Sequence, residues 1–220
     1  MASIYVFPAG SPNDGRLLRP QGVPDDLWAA VESVNAMPYL PGVRYREIPV
    51  PSTLADYGIG VELEAGHARF GGAGAAADVA AHAAADMSGF PPDVGTGWVM
   101  VLYCHVPRAE WGSRWRCVAF ARLPLAPAEN DSLAPEMYWD GMCDHLVNMD
   151  PDSLSGTVTV SQNTSFGSLA ARASAGCEIR VSWTPLDVVG ADGTMDAGAQ
   201  VNAWAAFMAS VVRSEEDDDR

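Results

Sequence analysis

The chain has 220 residues, 48% of them hydrophobic, enough for one domain whose core does not depend on disulfides. Its formal net charge of -15 argues against phosphate-rich partners, so direct binding of nucleic acid or of an anionic membrane is not expected. No apolar run reaches the ~20 residues that span a bilayer, and the opening MASIYVFPAG lacks the basic start and apolar stretch of a secretory signal, which predicts a cytoplasmic protein.

Residues 1–23 are rich in Pro and Gly, show no periodicity, and read as a flexible arm ahead of a single domain over residues 24–213. Asp25 or Asp26 is expected to cap a first helix. Its Leu27, Ala30, Val31 and Val34 recur on one face, and Pro38 and Pro41 stop it. Val43–Val50 and Tyr57–Glu64 read as strands. In the second, Tyr57, Ile59, Val61 and Leu63 face one way, and Gly58, Gly60, Glu62 and Glu64 face the other. Residues 66–96 are dominated by Ala and Gly, as in an insertion or a long exposed loop. Trp98–His105 is apolar on both faces, the pattern of an interior strand. Pro107–Ser113 turns the chain, and Arg114–Leu123 returns as the other half of a hairpin.

Ser132, with Pro135 in the first turn, starts a second helix striped by Trp139, Met142, Leu146 and Met149. Gly156–Leu186 reads as a last hairpin. Val158 and Val160 alternate with Thr157, Thr159 and Ser161; Ile179, Val181 and Trp183 alternate with Glu178, Arg180 and Ser182. Thr194 caps a third helix lined by Val201, Trp204, Met208 and Val211, and residues 214–220 form an acidic tail expected to be disordered. The order is helix, four strands, helix, two strands, helix, without βαβ alternation. The predicted fold is therefore α+β: a mainly antiparallel sheet of about six strands with helices packed on one face.

Motifs for chemistry are sparse. Gly72–Ala77 matches a G-x-G-x-x-A pattern, but no parallel strand follows and no carboxylate is placed for a ribose, so no cofactor is expected. The four cysteines are scattered without a CxxC pair and read as buried free thiols. Cys104 and Cys117 fall on neighbouring strands, where a disulfide is geometrically open. Cys104 and His105 point to opposite faces of a strand, and Cys143 and His145 are badly spaced on a helix. His67 and His82 sit in the loop. No metal site is expected. There is no G-x-S-x-G elbow; Ser165 and Ser182 lie at strand ends, and Asp140 with Asp144 reads as a solvated helix face. No catalytic residue is assigned.

All 13 basic residues are arginine. Arg114, Arg116 and Arg122 share parity with Val118 and Phe120, and Arg180 lies on the last strand. A guanidinium suits carboxylates and phosphates. Arg116, Arg122 and Arg180 are thus candidates for a shallow anion or peptide-carboxylate site on the open face of the sheet. The competing reading is cross-strand pairing with Glu178, Glu62 or Glu64.

Several segments occur in an order that resembles a known family. They are Glu110-Trp111-Gly112; Trp115-Arg116-x-Val118-x-Phe120-x-Arg122; Ala134-Pro135-Glu136-x-x-Trp139; Gly156-Thr157-Val158-Thr159; Ser165-Phe166-Gly167; and Glu178-Ile179-Arg180-x-Ser182-Trp183-Thr184-Pro185. Leu27–Glu64, with its Arg46-Glu47-Ile48-Pro49, also fits. The chain resembles the actinobacterial domain-of-unknown-function family 3000, outside the arm, the Ala/Gly insertion and the acidic tail. The resemblance implies no activity and no catalytic residue. It implies one candidate partner, a ribonuclease-D-like exonuclease encoded nearby. The element order is also similar to that of secretion-chaperone-like α+β proteins, an analogy of fold that does not fix function. The expectation is a non-enzymatic adaptor or protein-binding module, with a homodimer as one arrangement, working through a face or edge of its sheet. The alternative is a small enzyme or small-molecule binder with an Arg-lined pocket.

Overall fold

The computed structural model describes residues 19–66, 94–125, 130–164, 166, 174–186 and 195–217. Most of the expected arm, the bulk of the Ala/Gly insertion with Gly72–Ala77, His67 and His82, then Ser165, Thr194 and the last acidic residues, lie outside the described residues. The described elements are α1 (Asp25–Ala36), β1 (Val43–Glu47), β2 (Tyr57–Gly66), β3 (Val94–Arg108), β4 (Ser113–Leu125), α2 (Ala134–His145), β5 (Ser155–Asn163), β6 (Ser174–Trp183) and α3 (Ala197–Asp217), with a short 3-10 turn at Pro151–Ser153. The sheet runs β1-β2-β3-β4-β6-β5, and every neighbouring pair is antiparallel. The α+β architecture and element order are those read from the sequence.

Period-2 alternation places Ile59, Val61 and Leu63 of β2, Val99 and Val101 of β3, Cys117 and Ala119 of β4, and Ile179, Val181 and Trp183 of β6 on one buried face. The apolar stripes of the three helices close over it in a single core. Leu27, Ala30, Val31 and Val34 of α1 are buried as their spacing required. At the centre, Trp204 stacks near Trp183 and Phe207, with ring centroids 6.1 and 5.4 Å away. Trp183 Nε1 donates to Gln200 Oε1 at 2.7 Å, and Gln200 Nε2 donates to the Asn148 carbonyl at 2.9 Å, while the buried Trp204 Nε1 has no hydrogen-bond partner among the described residues.

The helix starts differ in detail from the expected caps. Asp25 and Asp26 lie inside the first turn of α1, where their charge favours the helix dipole, and neither caps it; Pro24 occupies that position. Asp131, rather than Ser132, holds the start of α2, its Oδ1 accepting from the N–H groups of Leu133 and Ala134. At α3, Asp196 Oδ1 accepts from the Ala199 N–H at 2.8 Å. That helix crosses α1 at Gly198, whose N–H donates to Ser33 Oγ at 3.0 Å. A β-carbon at 198 would collide with the Ser33 carbonyl, so the close crossing requires glycine. α3 continues to Asp217, into the acidic stretch.

Strand boundaries also moved. β3 begins at Val94, within the segment read as an insertion, because β2 runs on to Gly66 and pairs with it there. β1 ends at Glu47, short of Val50, because the chain then folds onto the second face of the sheet. The Ile48 N–H donates to the Gly60 carbonyl at 2.9 Å, and a β-carbon at Gly60 would stand 2.5 Å from the Ile48 oxygen. Ile48, Val50 and Ala55 thereby cover Met100, Leu102 and Cys104 in a second, smaller apolar cluster.

Candidate functional site

The helices occupy one face, so the side chains of the other define the candidate site. Register fixes them in rows across all six strands. One row runs Arg46, Glu62, Trp98, Phe120, Arg180, Thr157. The next runs Arg44, Glu64, Thr96, Arg122, Glu178, Thr159. Trp98 and Phe120 pack with centroids 6.1 Å apart at the middle, with ion pairs to either side.

Most of the charge on this face is matched within it. Arg46 Nη2 lies 2.5 Å from Glu62 Oε2, and Arg44 Nη1 lies 3.6 Å from Glu64 Oε2. Arg122 and Arg180 meet on one carboxylate. Arg122 Nη2 donates to Glu178 Oε1 at 2.8 Å, and Arg180 Nη2 donates to Oε2 at 2.7 Å. The hydrogen-bonded Arg122 guanidinium holds the Glu178 carboxyl below its ordinary range; burial opposes this, and Arg180 adds to it. Arg180 also lies over Phe120, its Cζ 5.2 Å from the ring centroid. Pairing with Glu178 thus accounts for the described contacts of two of the three candidate arginines with acids, across strands for Arg122 and within β6 for Arg180. Arg114 pairs away from the set, 3.9 Å from Asp26 of α1.

Arg116 is separate. It sits opposite Leu102 at the far end of β4. Its Nη2 donates to Ser182 Oγ at 2.7 Å and its Nη1 to Thr184 Oγ1 at 3.1 Å. Thr184 is 6% exposed and fully engaged: its hydroxyl donates to the Trp111 carbonyl, its N–H donates to Ser153 Oγ, and its carbonyl accepts from the Asp150 N–H. A buried threonine therefore ties the β3–β4 turn, the 3-10 turn and the guanidinium together. Sequence reasoning missed Thr184 and Ser182 as partners of Arg116. The signal was present only as a run of hydroxyl residues in Ser182-Trp183-Thr184, whose place beside β4 depends on the register Cys117 to Trp183.

All four cysteines are free thiols. Cys117 faces the helix-covered core and Cys104 the opposite cluster, so they cannot form the disulfide that adjacency left open. Burial raises the Cys117 thiol far above its usual value and pushes Cys177 up to about 12, which makes neither a nucleophile. The His145 ring is engaged locally, with Nδ1 2.8 Å from the Gly141 carbonyl. Among the described residues, no three His, Cys, Asp or Glu side chains gather as a metal would need, and no helix is long and apolar enough to cross a membrane.

Comparison with curated proteins and with solved structures returns no match. The segments that carry the sequence resemblance are nevertheless the ones that build this face and its supports: the Trp111 turn, β4, the start of α2, and the β5–β6 hairpin. A family model described as "Protein of unknown function (DUF3000)" matches residues 23–213, nearly the whole domain, and the chain belongs to that family.

Proposed function

We propose that the protein is a non-enzymatic, cytoplasmic binding module that recruits a protein partner along the outer edge of β5 and the helix-free face beside it. The observation that carries this reading is the character of β5. It is 9 residues long, SGTVTVSQN, without a charge or a proline, and it forms an outer edge of the sheet. Unpaired backbone on a long, uncharged, β-branched edge accepts an added strand, and Lys, Pro or short length is the usual protection against that. Thr157 and Thr159 are exposed on the open face and present neutral hydroxyls to an incoming segment. The partner's extended segment would gain its affinity from main-chain bonds and its selectivity from the Arg180–Phe120 and Arg122–Glu178 pairs next to them. A homodimer through paired β5 edges is the self-association form of the same mode.

The test is capture of partners from the native cytoplasm by the full chain and by a Thr157→Lys/Thr159→Lys double variant. The ribonuclease-D-like exonuclease is the first named candidate. A protein bound by the wild type and lost by the variant, or a dimer that the variant dissociates, supports the reading. Capture unaffected by the variant, or a bound metabolite in place of a protein, overturns it.

A further inference from the structure

Every other arginine whose side chain is described has a carboxylate within 4 Å: Arg19, Arg44, Arg46, Arg108, Arg114, Arg122 and Arg180. Arg116 is held by hydroxyls instead. A guanidinium has five N–H donors in a planar fork, and Ser182 and Thr184 take two of them. The hydroxyls are not free to turn away. Thr184 Oγ1 already spends its proton on the Trp111 carbonyl at 2.7 Å, so it meets the guanidinium as an acceptor. Ser182 Oγ lies 3.4 Å from Ser155 Oγ across the β5–β6 pair. The side chain is thus fixed in place while, among the described residues, no carboxylate stands in ion-pair contact with it. Asp150 is near enough to favour the cation, yet its Oδ1 accepts from the Asp152 N–H and does not reach Arg116. Partial burial works the other way and disfavours the charge. In a protein of net charge -15, a cation held this way and left over is a place for an anion from outside.

We infer that Arg116, set by Ser182 and Thr184, is a recognition site for a single carboxylate group of a ligand. The guanidinium fork suits two oxygens of a carboxylate or of a phosphate alike, and charge is what separates them. The surrounding acidic body repels a doubly charged phosphate more than a singly charged carboxylate. The site stands apart from β5 strand addition: a free carboxylate tests it whether or not a protein partner exists.

The experiment is NMR observation of arginine side-chain Nε–H signals in the full chain, titrated with sodium acetate or inorganic phosphate at constant ionic strength. Arg116→Gln assigns its signal, and the backbone amide spectrum of that variant reports its fold. A saturable acetate shift at Arg116 is expected, about tenfold tighter than any at Arg122 or Arg180, because those two are already paired to an acid. Ser182→Ala keeps the charge and should weaken acetate at Arg116 by about threefold through loss of one hydroxyl clamp. A linear acetate response at Arg116, an equal response at Arg122 and Arg180, or saturation by phosphate at lower concentration than acetate overturns the inference.

Discussion

The sheet has two edges, and they are built on opposite plans. β1 is 5 residues long, carries Arg44, Arg46 and Glu47, and hands the chain to a connection that folds over the neighbouring face. β5 is 9 residues long and carries no charge at all. Both bury one row of side chains against the helices, Val43 and Tyr45 on one side, Val158 and Val160 on the other. What differs is the charge on the two margins, together with α2, which packs against β5. Among the described residues, no strand pairs with the outer side of β5.

The sharpest way to break the comparison is to unseat the guard at β1. Gly60→Val drives a branched side chain into the Ile48 carbonyl, already 2.5 Å from where a β-carbon would stand. Stability should fall by about 3 kcal/mol in denaturant titration. Hydrogen exchange should quicken at β1 more than at β5, and Cys104 should become open to alkylation as its cover lifts. Equal loss of protection at both edges would mean that the connection guards neither.

A smaller effect is expected beside β5. The Glu178 carboxyl titrates below its ordinary value of 4.5 in the folded state, so its contribution is present above that value and is lost as pH falls through the depressed one. Glu178→Gln should lower stability by about 0.5–1 kcal/mol near pH 7, since both arginines are half exposed. The gap between variant and wild type should close as pH falls through the depressed value. A gap independent of pH would show that the carboxylate acts by shape and not by charge. The smallest change is the most discriminating: Thr157→Lys/Thr159→Lys should leave unfolding within about 0.5 kcal/mol of wild type, the usual range for exposed positions. A larger loss in the isolated protein would show that the bare edge is needed for folding, and the contrast between the edges would lose its functional meaning.

Much of the architecture was legible because burial leaves a period in the sequence. The alternation of β2, β4 and β6 and the stripes of α1 and α3 each recorded which side meets the core. Even the shared parity of Arg116, Arg122, Val118 and Phe120 was readable before any coordinates. What could not be read depends on register between distant segments. Pairing of the arginines with Glu178, Glu62 or Glu64 was readable as an alternative, but that Arg122 takes Glu178 among them, and that Arg116 meets Ser182 and Thr184, follows from β6 inserting between β4 and β5, an order no local pattern encodes. The early end of β1 was hidden for a related reason. Gly58 and Gly60 looked like neutral outward positions, and only the path of Ile48–Ala55 over them gives their lack of side chains a purpose.

The Gly198–Ser33 crossing has a consequence for synthesis. α1 is among the first elements of the domain to leave the ribosome, and α3, which seals it, is the last. At about 5–20 residues per second, roughly 10–30 s separate the two. For that interval Leu27, Ala30, Val31 and Val34 have no lasting cover, since the face of α3 that shields them has not been made. Until α3 emerges, the nascent chain therefore carries that apolar face without the helix that covers it. A ribosome stalled before Ala197 should yield a protease-sensitive chain, while one stalled far enough past Asp217 for α3 to clear the exit tunnel should yield a folded one.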